Sequence, residues 1–453
     1  MHELLHLSAE RASQYLASLE ERNVAPTPEA LAQLHELGGP LPEHPSDPTA
    51  VIDLLDRIGS PAATASAGGR FFGFVTGGSL PAALAANWLS STWDQNAFSA
   101  ATSPLITRIE EICERWLIDL LGLPSECSVG FVTGATMANF SALATARHAQ
   151  LERVGWNVEE DGLFGAPPIT VIVGDEVHVS LLKALSMLGL GHKRVVRVPV
   201  DNQGRMRADA LPPISGPTIV CLQAGNVNTG ACDPAAEICA KAHEAGAWVH
   251  VDGAFGLWYA AAPKRAHLAA GLADADSWAT DGHKWLNTPY DSGLVFCRWP
   301  EKMRASLSVQ AAYLMRSEGR GDSYQYTPEL SRRARAVDVW AALRSLGRSG
   351  VADLIERCCQ YASRFAEGLS EAGYSILNEV TGNQVLVSFG EPAVTQRVIA
   401  AIQADGTCWC GGTVWQGQTA MRISVSSWAT TADDVERSLA AMLRIAAAEN
   451  ARA

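Results

Sequence analysis

Between 106 and 121 hydrophobic residues recur at helical spacing: Ile106, Ile109, Ile112, Trp116, Leu117 and Leu120 make one apolar stripe on a polar segment. That period predicts an amphipathic helix. Beyond it the pattern changes to short apolar runs at 169–173, 218–222, 247–251 and 293–297, with helical stretches at 177–188 and 234–245. Short apolar runs suit strands, and their alternation with helices predicts an α/β domain with a mainly parallel sheet. After 331 the order changes again, to a long helix at 331–346, strands at 384–389 and 420–425, and helices at 395–404 and from Ala432 onward. This predicts a smaller α+β domain. Residues 1–60 read as polar helices with a proline-rich connector, Gly39-Pro40-Leu41-Pro42-Glu43-His44-Pro45. The expected organisation is a helical arm (1–70), a large domain (71–330) and a small C-terminal domain (331–453).

Composition narrows the class. Hydrophobic residues make up 47% of the 453 and charged residues only 18%, which supports a sizeable core and excludes a disordered or fibrous chain. The net charge of −13 argues against unaided binding to nucleic acid or an anionic membrane. No apolar run reaches the length of a membrane span, and the N-terminus lacks a basic region followed by an apolar stretch. Ten scattered cysteines read as mostly reduced core thiols. A soluble, acidic, cytoplasmic enzyme is expected.

Four short segments carry candidate chemistry. In Thr280-Asp281-Gly282-His283-Lys284-Trp285, a lysine beside a histidine and an aromatic residue can lose solvation and become a neutral nucleophile. In Trp248-Val249-His250-Val251-Asp252-Gly253-Ala254, an apolar strand ends in a carboxylate, where ligands of open α/β sheets bind. Phe131-Val132-Thr133-Gly134-Ala135-Thr136-Met137-Ala138-Asn139 puts small residues at a helix start, with backbone N–H groups free for a phosphate. It lacks the P-loop lysine and the dinucleotide glycine pattern. In Gly174-Asp175-Glu176-Val177-His178-Val179-Ser180, a histidine follows a strand. Each has an ordinary alternative: a surface lysine, an N-cap aspartate, a common helix start, a packed histidine.

Taken in order, the four segments resemble the pyridoxal-phosphate-dependent group II decarboxylases, the family of the aromatic-amino-acid, histidine and glutamate decarboxylases. The likeness runs from Phe71 to Gly347 and includes Ser103-Pro104 and Ser331-Arg332-Arg333-Ala334-Arg335. It implies an aspartate-aminotransferase-like (fold type I) α/β architecture, pyridoxal 5'-phosphate as cofactor, and decarboxylation of an L-amino acid to an amine. An aldolase, C–S lyase or aminotransferase on the same fold is the alternative. By this resemblance Lys284 forms the Schiff base, Asp252 pairs with the pyridine nitrogen and His178 stacks on the ring. Ala254 leaves room for the other ring face, and Ala135, Thr136 and His283 serve the phosphate. Asn226 stands where many relatives carry a threonine beside the cofactor. Asp281 replaces a phosphate-binding asparagine, and a carboxylate beside a phosphate is unfavourable unless it points away.

The resemblance also assigns Phe72 to the substrate pocket and Arg422 to a substrate carboxylate. Tyr324, within the polar stretch 319–328, is the candidate Cα proton donor on a mobile loop, with Tyr326 as the rival. A homodimer with active sites near the interface is expected. Two motifs are set aside. His2-Glu3-Leu4-Leu5-His6 matches a zinc-protease pattern but has no core before it and no evident third ligand. Cys408-Trp409-Cys410 has the wrong spacing for a redox or zinc pair and reads as extended chain.

Overall fold

In a computed structural model of the chain, residues 1–308 and 321–452 are described. The chain divides into two compact units, residues 79–360 with 378–384, and residues 1–78 with 361–377 and 385–453.

The larger unit is built on a seven-stranded sheet. Its strands are β1 (Ser128–Val132), β2 (Thr170–Gly174), β3 (Val196–Val198), β4 (Thr218–Gln223), β5 (Trp248–Asp252), β6 (Ser277–Asp281) and β7 (Gly293–Cys297), in the order β1-β7-β6-β5-β4-β2-β3. β7 is antiparallel to both neighbours; the pairs β6–β5, β5–β4, β4–β2 and β2–β3 are parallel. Every residue of β1, β5, β6 and β7 is buried; of these only β5 and β7 fall on apolar runs read from the sequence. The helix Ala135–Glu152 packs on this sheet through small residues, with Ala138, Ala142 and Ala146 fully buried. Its start lies so close to β7 that a Cβ at Gly293 would fall 2.4 Å from the Gly134 backbone, so only glycine fits there. The amphipathic helix runs Pro104–Leu121 and ends at Gly122 in the left-handed region (φ 63°).

The second unit holds a four-stranded sheet of β8 (Ser375–Ile376), β9 (Gln384–Ser388), β10 (Gly411–Trp415) and β11 (Gln418–Ser424), ordered β10-β11-β9-β8. Here the organisation differs from the expected three segments: the N-terminal arm shares a unit with the C-terminal region. The reason is local. The buried Arg70 guanidinium donates to the backbone carbonyls of Glu20 (2.8 Å), Arg22 (3.0 Å) and Thr407, and Val24 N–H donates to the Gly406 carbonyl (2.8 Å). Charged hydrogen bonds of this kind are costly to break once buried.

The long helix Ala336–Glu371 continues well past the expected end, with a kink at Gly347 (φ 61°). Cys408 and Cys410 are buried in extended chain, and Trp409 bridges to Phe71. All ten cysteines are unbridged. His2 and His6 lie on the first helix with ring centroids 4.4 Å apart. Among the described residues no cluster of three metal-ligating side chains occurs, and no helix is long and apolar enough to cross a membrane.

Candidate active site

The C-terminal ends of the parallel strands deliver the candidate residues to one edge of the large unit. Asp252 ends β5 and Asp281 ends β6, so Gly282-His283-Lys284 follows directly from a strand rather than from an open loop. His178 lies just beyond β2 and Asn226 just beyond β4, while the helix carrying Ala135 and Thr136 starts after β1.

Lys284 Nζ lies 2.9 Å from Asp281 Oδ2. Asp281 Oδ1 accepts from the Ala135 N–H at 2.6 Å and lies 3.4 Å from His283 Nε2. Thus the N–H of Ala135, expected at a phosphate, is given to Asp281. Thr136 remains half-buried in the first helical turn, where N–H groups have no intrahelical acceptor. Asp281 points toward the helix start and the lysine, a placement for which its sequence position carried no signal beyond the departure from asparagine.

His283 Nδ1 accepts from Ser292 N–H at 3.0 Å, so the ring proton sits on Nε2. Burial lowers the His283 pKa, which keeps the ring neutral; it stacks on Tyr290 at 4.3 Å. His178 caps the helix Val179–Met187, its Nδ1 facing Ser180 Oγ (2.7 Å) and N (3.3 Å). Capping and ring presentation coincide in one residue, because the contact to Ser180 fixes the imidazole plane.

Asp252 is buried. Its Oδ2 accepts from Asn139 Nδ2 at 3.0 Å and its Oδ1 from the Ala254 N–H at 3.3 Å. Burial raises its pKa, opposed by His178 and Lys284 nearby and by the Asn139 hydrogen bond. Such a carboxylate calls for a cationic partner. Asn226 Oδ1 accepts from the N–H groups of Asn228 (2.9 Å) and Thr229 (3.2 Å), whereas its buried Nδ2 has no hydrogen-bond partner. An orphaned donor here and a carboxylate needing a cation match the polar edges of a pyridoxal ring, so the residues fit that cofactor. Of the six lysines in the sequence, Lys183, Lys193, Lys241 and Lys264 are exposed and Lys302 pairs with Glu152, leaving Lys284 in this cluster.

Phe72 is fully buried in the second unit, edge-on to Phe365 at 5.1 Å, while Phe74 is exposed against Trp409. Arg422 lies on β11 in that unit, and burial lowers its pKa. The stretch expected as a mobile loop forms a packed 3-10 turn over Ser323–Tyr326, closed by a reciprocal cap between Asp322 and Gln325. Gly319 and Arg320 lie outside the described residues. Tyr324 stacks on Phe98 at 4.9 Å, and the Tyr326 hydroxyl accepts from Arg304 at 3.0 Å. Among the described residues Tyr324 shares no hydrogen bond with Lys284 or Asp252. Sequence reasoning missed Asn139 as a partner of Asp252; its place one helical turn after Ala135 was the available signal.

A lysine and a buried carboxylate at the strand ends of such a sheet fit an enzyme that works through an aldehyde cofactor. A family model described as the pyridoxal-dependent decarboxylase conserved domain matches residues 28–390, and the chain belongs to this family. It is a pyridoxal-phosphate-dependent amino-acid decarboxylase of fold type I. An aromatic-L-amino-acid decarboxylase of Bacillus atrophaeus is 28% identical, covering 82% of this chain and 80% of its own length. An L-2,4-diaminobutyrate decarboxylase of Rhizobium meliloti is 29% identical, covering 80% and 74%. The structure is similar to that of an Oryza sativa protein, titled TDC with PLP and tryptamine, with a TM-score of 0.91, 21% identity, and 99% and 97% of the two chains covered.

Proposed function

We propose that the protein decarboxylates an aromatic L-amino acid in the cytoplasm, as a homodimer, with Lys284 as the cofactor lysine and Asp252 as the partner of the ring nitrogen. The observation that carries the residue assignment is the convergence of Lys284, Asp252, His178 and Asn226 at adjacent strand ends. Pyridoxal phosphate, when bound, supplies an aldehyde and an electron-accepting ring. Lys284 would hold the aldehyde carbon through its Nζ, with water as the group released. Asp281, 2.9 Å from Nζ, holds the amine in place and keeps a negative charge beside it whenever it is free. Asp252 would hold a proton on the ring nitrogen, His178 would cover one ring face, and Ala254 would give room at the other. Asn226 Nδ2, which has no hydrogen-bond partner among the described residues, would donate to a polar atom of the ring edge. The neutral Nε2–H of His283 and the first-turn N–H of Thr136 would serve the phosphate.

When carbon dioxide leaves, the bonding electron pair stays with Cα, and a proton delivered there yields the amine. Tyr324 is the proposed donor of that proton. The aromatic substrate class draws support from the name of the Bacillus relative; the name of the Rhizobium relative makes 2,4-diaminobutyrate the competitor. Dimerisation is supported by exposed apolar residues on the first helices, including Leu16, Leu31, Leu34, Val51 and Leu55. Free cysteines accord with a reducing compartment.

The test is carbon dioxide release and product analysis over a panel of aromatic, acidic and diamino acids. The reading expects an amine from an aromatic substrate and, from Tyr324→Phe, a shift of product from amine toward aldehyde with cofactor binding intact. Carbon dioxide from 2,4-diaminobutyrate alone overturns the substrate class, and an active monomer in light scattering overturns the assembly. Transamination or C–C cleavage without carbon dioxide would favour the aldolase, C–S lyase or aminotransferase chemistry instead.

A further inference from the structure

Behind Asp252 four buried side chains form an unbroken line of hydrogen bonds. Trp248 Nε1 donates to Ser277 Oγ at 2.9 Å, and His250 Nδ1 lies 3.0 Å from the same oxygen. His250 Nε2 lies 2.8 Å from Asn139 Oδ1, and Asn139 Nδ2 donates to Asp252 Oδ2 at 3.0 Å. Trp248, His250 and Asp252 alternate along β5 and so share one face of the sheet. Ser277 comes from the neighbouring β6 and Asn139 from the helix laid across that face.

Chemistry gives the line a direction. An indole N–H only donates, so the Ser277 oxygen accepts from Trp248. At the other end an ionised Asp252 accepts from Asn139 Nδ2, which leaves Asn139 Oδ1 to accept from His250 Nε2 and His250 Nδ1 to accept from the Ser277 hydroxyl. With Nδ1 accepting, the imidazole proton sits on Nε2 and is donated to Asn139 Oδ1. The amide is thereby oriented with Nδ2 toward Asp252. The opposite polarity would aim Asn139 Oδ1 at Asp252 and require a protonated carboxyl. A charged imidazole would also break the line, and burial holds His250 neutral, its pKa pushed down to about 3. Around Asp252 the other titratable groups are His178, Lys284, Asp281 and Cys221.

We propose that Asn139, His250, Ser277 and Trp248 are positioning residues, a one-directional donor line that keeps Asp252 an oriented acceptor for the ring nitrogen of the cofactor. The proposal rests on the reading that Asp252 faces that nitrogen. Packing alone would be served by apolar residues of similar size; four buried polar groups that satisfy one another are costly to assemble unless their polarity is used.

Titrating apoprotein with pyridoxal phosphate gives the affinity, and the pH dependence of the bound cofactor's absorbance gives its apparent ionisation. His250→Leu removes the donor to Asn139 and frees the amide to turn. It should weaken cofactor affinity about tenfold and move the absorbance transition by on the order of one pH unit. His250→Gln can donate from its terminal amide to Asn139 and should restore most of both. Ser277→Ala, a small change that keeps the fold, should shift both by a few-fold or a few tenths of a unit, and it decides the matter if His250→Leu does not fold. Wild-type behaviour in every folded member of the pair His250→Leu and Ser277→Ala overturns the proposal. So does a Gln variant as defective as Leu, since packing would then explain both. Asp252→Asn is the control: if it too leaves affinity and absorbance unchanged, the fault lies in the reading of Asp252 rather than in the line behind it.

Discussion

The two sheets treat polar side chains differently. In the seven-stranded sheet, β5 and β6 are buried along their whole length, yet they carry His250, Asp252, Ser277, Thr280 and Asp281. In the four-stranded sheet, β10 alternates half-buried Gly411 and Thr413 with exposed Gly412 and Val414 up to buried Trp415, and β11 opens on the exposed polar Gln418. A polar group on a strand with a wet face needs no special partner, whereas one on a doubly covered strand must find one inside. The Asp252 and Asp281 carboxylates and the His250 imidazole all find theirs, and together they outline the site. Buried polarity on β5 and β6 therefore coincides with the proposed site.

The contrast breaks most sharply at Asp252. Asp252→Asn keeps the shape and the Asn139 contact but cannot hold a proton on a ring nitrogen, so kcat should fall ~10²-fold or more while the melting temperature stays close to wild type. Near-normal turnover would show that a buried carboxylate on this strand is structural. Asp281→Asn comes next. Its amide oxygen can still accept from Ala135 N–H, but the charge facing Lys284 is lost, and initial rates should drop about tenfold. A rise in cofactor affinity without loss of rate would indicate that Asp281 opposes the phosphate instead.

Smaller effects concern stability. His250 stays neutral in the folded protein down to about pH 3, while unfolded it takes up a proton near 6.5. Its contribution is therefore complete above pH 6.5 and declines as pH falls, by up to ~1.4 kcal/mol per unit. Asp233, raised to about 6 by burial, acts in the opposite sense over part of that range. The difference between wild type and His250→Gln in urea unfolding at pH 7 and pH 5 isolates the histidine: the gap between the two should shift in favour of the glutamine variant at pH 5. On the open sheet, Val414→Thr, at an exposed position of β10, should change unfolding free energy by less than about 0.5 kcal/mol.

Much of this was legible in the chain. The apolar run at 293–297 coincides with β7, and those at 218–222 and 247–251 lie within one residue of β4 and β5, because doubly covered strands advertise themselves by composition. Lys284, Asp252 and His178 stood out through their order along the sequence, and the strand ends bring them to one edge. What sequence could not give was pairing. Nothing local says that Asn139 meets both Asp252 and His250, which lie more than a hundred residues on. β6 was hidden because Ser277-Trp278-Ala279-Thr280-Asp281 is too polar to read as a covered strand; its hydroxyl and carboxylate groups are tolerated only through partners supplied from β5 and the first-turn helix amide. The 3-10 turn at Ser323–Tyr326 was likewise hidden, since its glycine-rich approach signals a loop while the Tyr324–Phe98 stack that closes it is a long-range contact.

The central claim is that Lys284 carries the cofactor, and six lysines make it directly measurable. Holoprotein reduced with borohydride and digested should yield a single pyridoxyl-bearing peptide, the one containing Lys284, and Lys284→Ala should lose both that label and all turnover. A label on Lys183, Lys264 or Lys302, or catalysis surviving in Lys284→Ala, would contradict the account.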